Sequence, residues 1–99
     1  MKITTTKDGS ICTLAIAGRI DTFTAPDMEK EVHVNLSDCD KMIFDMSGVE
    51  YISSAGLRII VYTFREMEKK GGLVLRGMNK NVDAIITMTG FKKKLTVEP

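Results

Sequence analysis

Between Asp45 and Leu57 the chain reads DMSGVEYISSAGL, and this stretch restricts the possible folds more than any other. Met42, Ile43 and Phe44 ahead of it form a continuous apolar run of strand type. Leu57, Ile60, Val61, Phe64 and Met67 beyond it recur at helical spacing. A strand that yields to a helix within a few residues is the repeating unit of an α/β layer, and the adjacent Ser53 and Ser54 mark the helix N-terminus. With Ser53 as N-cap, its hydroxyl accepts a bond from a first-turn amide, and Ser54 stands at the first helical position with its own hydroxyl free. A phosphate on Ser54 would add about 1.5 to 2 negative charges. It would sit beside the positive end of the helix dipole, where the fold tolerates it and an acidic or apolar partner surface does not.

The rest of the pattern predicts an α/β fold: a mixed, mostly parallel sheet of 4–5 strands with an N-terminal hairpin and about 3–4 helices. Ile3 to Lys7 and Ile11 to Ala17 read as strands about a turn at Asp8-Gly9, with Cys12, Leu14 and Ile16 on one face. Arg19 to Phe23 is a connection, and Thr24 with Asp27 is an acidic variant of a capping box, with Pro26 in the first turn. The first helix should run to about Val34, followed by a polar loop from Asn35 to Asp40. Its narrow apolar stripe of Met28, Val32 and Leu36 suits the edge of a sheet. Lys41 to Met46 is the expected central strand, its consecutive apolar residues implying cover on both faces.

The second helix is expected from Ser54 to Lys70, closed by Gly71-Gly72. Leu73, Val74 and Leu75 form a further strand. Asn79 caps a last helix that buries Val82, Ile85 and Ile86 and stops at Gly90, after which Phe91 and the Leu95-Thr96-Val97 tail dock on the core. On the second helix, Ala55, Ile59 and Tyr62 fall away from the Leu57, Ile60, Val61, Phe64 stripe. They are either packed against a neighbouring helix or form a docking patch beside Ser54.

Composition narrows the function. The 99 residues, 43% hydrophobic, suit one domain over residues 1–99. With 14 Lys plus Arg against 13 Asp plus Glu, the net charge of +1 leaves no footprint for nucleic acid or an anionic bilayer. Cys12 and Cys39 lack CxxC spacing and read as free thiols of a reducing cytoplasm. The N-terminus has no apolar signal region, and Ile59 to Tyr62 is too short to span a membrane. His33 is the only histidine and has no second ligand at metal spacing, so no metal and no cofactor are expected. Ser54 lacks a positioned base and a GxSxG elbow, which argues against an enzyme. Lys92-Lys93-Lys94 reads as a solvated face, and the glycines do not form a phosphate loop.

The Asp45 to Leu57 stretch resembles the signature of the STAS domain, the anti-sigma factor antagonist (anti-anti-sigma factor) family. Gly18-Arg19-Ile20-Asp21 with Thr24-Ala25-Pro26 resembles the family's segment between its second strand and first helix, and Thr89-Gly90-Phe91 through Leu95 its C-terminal segment. The resemblance implies partner switching. The unmodified protein binds an anti-sigma factor that is also a serine kinase of GHKL type and so frees a sigma factor. Phosphorylation ends that binding, and a PP2C-type phosphatase restores it. The acceptor aligns with Ser54, with Ser53 as the fallback. Many phosphorylated members carry Asp where this chain has Ser53, and relatives often have Ser or Thr where it has Ala55. Asp21 and Thr22 align with a loop of the partner surface, which would also draw on Ser53, Ala55, Gly56, Ile59 and Tyr62. Two other readings stand beside this one. The first is a non-switching accessory subunit of a lipid or solute transport complex, a role of some stand-alone STAS-like proteins, and the second is a small-molecule or nucleotide sensor.

Overall fold

The computed structural model describes all residues, Met1–Pro99. Alternating side chains and the Asp8-Gly9 turn produce an antiparallel hairpin of β1 (Lys2–Asp8) and β2 (Ile11–Ile20). Three crossovers follow: α1 (Ala25–Leu36) leads to β3 (Lys41–Ile52), α2 (Ser54–Met67) to β4 (Leu73–Arg76), and α3 (Lys80–Met88) with one 3-10 turn (Phe91–Lys94) to β5 (Thr96–Glu98). The sheet order is β1-β2-β3-β4-β5, with every pair after the hairpin parallel. Because parallel crossovers are right-handed and each strand is laid beside the last in one direction, all three helices fall on one face. A single buried cluster accordingly unites Met28 and Val32 of α1, Ile60 and Met67 of α2, and Val82 and Ile86 of α3 with Leu14, Phe44 and Leu75 of the sheet.

The cover expected on both faces of β3 therefore comes from helices on one face only. Ile43 and Val74 point to the helix-free face and lie outside the buried cluster, yet both are buried. Neighbouring side chains on the same face of adjacent strands shield them, which is enough to make the run along β3 apolar without a second layer. β3 also continues through Ser47–Ile52, beyond the expected end at Met46. It follows β2 through two register shifts, one between Ala15 and Ala17 and one between Gly18 and Arg19. Gly48 is needed there, since a Cβ would come within 2.9 Å of the Ala17 Cβ.

Other boundaries moved for local reasons. Asn35 belongs to the last turn of α1, buried, with its side-chain amide donating to the Glu31 carbonyl at 2.8 Å. α2 stops at Met67, and Gly72, with φ of 98°, donates its N–H back to the Met67 carbonyl at 2.9 Å. The Thr96–Val97 tail does more than dock: it adds β5 beside β4, and Phe91 meets Phe64 edge-on at 5.2 Å.

The free-thiol reading is also overturned. Cys12 and Cys39 are joined in a disulfide, both buried, with Cα atoms 5.8 Å apart and a sequence separation of 27. Only the first crossover brings the start of β2 against the α1–β3 turn, where the Asp40 N–H donates to the Ser10 carbonyl at 2.8 Å. Linear spacing held no sign of that. The inference from thiols to a reducing compartment falls with it.

Candidate functional site

β2 and β3 end side by side, at Ile20 and Ile52, and both chains then turn out of the sheet at the same place. The Ser53 N–H donates to the Ile20 carbonyl at 2.8 Å, which fastens the serine turn to the loop that follows β2. Ser53 is extended, with φ −92° and ψ 175°, and its Oγ accepts from the Gly56 N–H at 3.5 Å, a long N-cap bond. Ser54 is the first residue of α2, exposed, with no hydrogen bond from its hydroxyl to the protein. One serine thus holds the turn while the other faces outward.

Asp21 organises the neighbouring loop. Its Oδ1 accepts from the Phe23 N–H at 2.9 Å and the Thr24 N–H at 3.0 Å, and the Thr24 Oγ1 accepts from the Asp21 N–H at 2.9 Å. The Thr24 backbone N–H, joined by that of Phe23, holds the Asp21 carboxyl below its usual range, and Arg19 assists at 3.9 Å. The expected capping box does not form. Thr24 occupies the N-cap position in helical conformation without a side-chain cap bond, its hydroxyl being turned back into the loop, where it accepts from the Asp21 N–H and donates to the Arg19 carbonyl at 2.8 Å. Phe23, at the tip of this braced loop, is 91% exposed, and Thr22 beside it is exposed too. Arg19 stacks its guanidinium over the Tyr51 ring at 4.6 Å. Sequence reasoning passed over Phe23 and Tyr51, although a large aromatic residue in a polar loop was a signal for the first.

The structure separates the remaining candidates. Gly56 is buried, and a Cβ there would lie 2.6 Å from Ile20 Cγ2 and 2.7 Å from Ile52 Cγ1, so this glycine lets α2 sit down on the sheet. Ile59 is 5% exposed and belongs to the core, so the packed alternative for this face holds there, and its expected place in the partner surface is corrected. α1 covers that side of α2, and the wheel of an isolated helix cannot show it. Tyr62, 37% exposed, stays at the surface and meets His33 of α1 at 5.2 Å. Ala55 is half-buried. Between α1 and α2 lies a shallow groove of about 180 Å³, lined by Glu29, His33, Arg58, Ile59 and Tyr62. The surface around Ser54 therefore comprises Asp21, Thr22, Phe23, Ser53, Ala55 and, farther along α2, Arg58 and Tyr62. No cluster of three or more His, Cys, Asp or Glu side chains suited to a metal ion is present.

A singly covered five-stranded sheet whose second crossover helix begins at an exposed serine is the arrangement of a STAS-type domain. The STAS domain family model matches residues 2–99, and the chain belongs to that family. The anti-sigma-B factor antagonist of Bacillus subtilis (strain 168) is 35% identical over 79 residues, covering 78% of this chain and 72% of that protein. Among solved structures, an anti-sigma factor antagonist from Mycobacterium paratuberculosis superposes with a TM-score of 0.92 at 24% identity, over 99% of this chain and 85% of that one. The Bacillus cell fate determinant SpoIIAA in its phosphorylated form superposes with a TM-score of 0.76 at 11% identity, over 97% of this chain and 90% of that one.

Proposed function

We propose that this protein is an anti-sigma factor antagonist that works in the cytoplasm by partner switching. Unmodified, it binds an anti-sigma factor that is also a GHKL-type serine kinase, through Asp21, Thr22, Ser53, Ala55 and Tyr62 around the Ser54 turn. Phosphorylation of Ser54, with Ser53 as the second candidate acceptor, ends the binding, and a PP2C-type phosphatase resets it. The protein is bound and modified rather than catalytic, and uses no cofactor. The observation that carries this reading is the exposed, unbonded hydroxyl of Ser54 at the first position of α2, beside a serine already engaged as the cap. The antagonist name of the Bacillus subtilis relative and the solved phosphorylated SpoIIAA support it.

The test is a parallel capture from native lysate with wild-type protein and Ser54→Asp, the retained proteins being identified by mass spectrometry. The expected result is an ATP-binding kinase held by the wild type alone. Retention of one partner set by both baits would remove the switch, and transporter subunits in that set would make the chain a scaffold. Kinase assays on Ser54→Ala and Ser53→Ala then assign the acceptor.

A further inference from the structure

The sheet ends at β1, whose outer edge has no strand beside it. All seven residues of this strand pair with β2 in one unbroken register, with neither the bulge nor the proline that commonly blunts an edge. Ile3, Thr5 and Lys7 lie on the helix side, where the Thr5 hydroxyl donates to Glu31 at 2.7 Å and Lys7 pairs with Asp38 at 3.1 Å. Lys2, Thr4, Thr6 and Asp8 lie on the helix-free side, all exposed. Three successive threonines give the strand high β-propensity. On the helix-free face its charges stand at its ends, with Lys2 at one and Asp8 at the other, while Lys7 on the helix face is taken up by Asp38.

We propose that β1 pairs antiparallel with β1 of a second copy, about a two-fold axis normal to the sheet at Thr5, forming one continuous sheet through both subunits. Such an axis keeps both helix layers on the same side, so residues directly opposite must come from the same face of their strands. Among the registers that satisfy this, one centred on Thr4 sets Lys2 against Thr6 and leaves Lys7 and Asp8 unmatched. One centred on Thr6 sets Asp8 against Thr4 and leaves Lys2 and Ile3 unmatched. Only the register centred on Thr5 pairs the whole strand. It places Lys2 opposite Asp8 twice by symmetry, Thr4 opposite Thr6 twice, Thr5 opposite itself, and Ile3 beneath the aliphatic stem of Lys7. Opposite charges and threonine pairs facing directly across strands are favourable combinations. The edge is self-complementary in charge, which is the argument for a second copy rather than a foreign peptide strand. Since the two sheets run in opposite directions across the axis, the two serine turns lie at opposite ends of the dimer, each open to its own partner.

Sedimentation velocity over a concentration series up to about 1 mM, the range of weak association, tests this directly. The expected result is a reversible rise from the 11.0 kDa monomer toward twice that mass. Lys2→Glu and Asp8→Lys each set like charges opposite one another at both ends, and each should weaken the dimer by about tenfold. The double variant Lys2→Glu/Asp8→Lys restores the opposite pairing and should recover wild-type association. Both residues are exposed, and an unchanged circular dichroism spectrum would show that each variant is folded. A monomer throughout the series overturns the proposal, and so does a dimer indifferent to the single reversals or not rescued by the double one. Binding of a partner peptide along β1 by a protein that stays monomeric would show instead that the edge serves strand addition from outside.

Discussion

Asp21 and Gly56 show how single side chains hold the serine turn in place. The two backbone N–H bonds to Asp21 are made to its ionised form, so its carboxyl is lowered below the ordinary 3.8. A carboxyl lowered on folding contributes stability at pH above its unfolded value, and that contribution is lost as pH falls through the folded value. The loop should therefore stay ordered at neutral pH and loosen only in acid below 3.8, with Asp45, held down by the Ser47 hydroxyl and N–H, titrating in the same window. A carboxyl-detected NMR titration placing Asp21 above 3.8 would contradict the bonding described. Gly56→Ala forces a methyl onto Ile20 and Ile52 and should cost about 1–3 kcal/mol in chemical denaturation, as overpacking does. Ser53→Ala should cost less, about 0.5–1 kcal/mol by the same measurement, the low end for a cap because its bond is long. Caps at Ser53 and Asn79 were legible in sequence because donor and acceptor lie three residues apart. The true partners of Thr24 were not, because its hydroxyl bonds backward, to the Asp21 N–H and the Arg19 carbonyl of the preceding segment, and not forward into the helix.

At the scale of elements, the Cys12–Cys39 bridge ties the start of β2 to the exit of α1. Closing a loop across 27 residues of sequence restricts the unfolded chain by about 3–4 kcal/mol in the chain-entropy account. Reduction should lower the unfolding free energy by about that amount, and replacement of both buried cysteines by Ser by more, since each then leaves a hydroxyl in the core. A denaturation curve unchanged by reductant would show that the bridge does not form in solution. Both sulfurs are buried, so reductant should act slowly on the native protein and quickly on protein held in denaturant. Helix and strand identities were readable from periodicity because each element's own side chains set it. Ile59 was misassigned because its burial depends on α1, an element distant in sequence, and the wheel records only neighbours on the same helix.

For the molecule as a whole, the serine turn lies at one end of the sheet, far from the disulfide and the hairpin turn, so charge added there should not disturb the core. Ser54→Glu should raise stability by about 0.3–1 kcal/mol through the positive end of α2 while abolishing or greatly weakening partner binding. Loss of stability and of binding together would make the effect on binding a folding defect. The α/β class and the parallel crossovers were legible from alternating elements, and the Ser53-Ser54 turn from the strand and helix on either side of it. The single helix layer was not read from the sequence, though it follows from strand order once handedness is applied.

That strand order carries a consequence for synthesis. Each strand from β2 to β5 is laid against the one just completed, so position in space follows position in the chain. A nascent chain leaving the ribosome can add one crossover at a time to an edge already formed, with no later strand needing to insert between earlier ones. A released chain truncated before β5 should therefore keep β1 to β4 paired and the serine turn presented, with only the last edge missing.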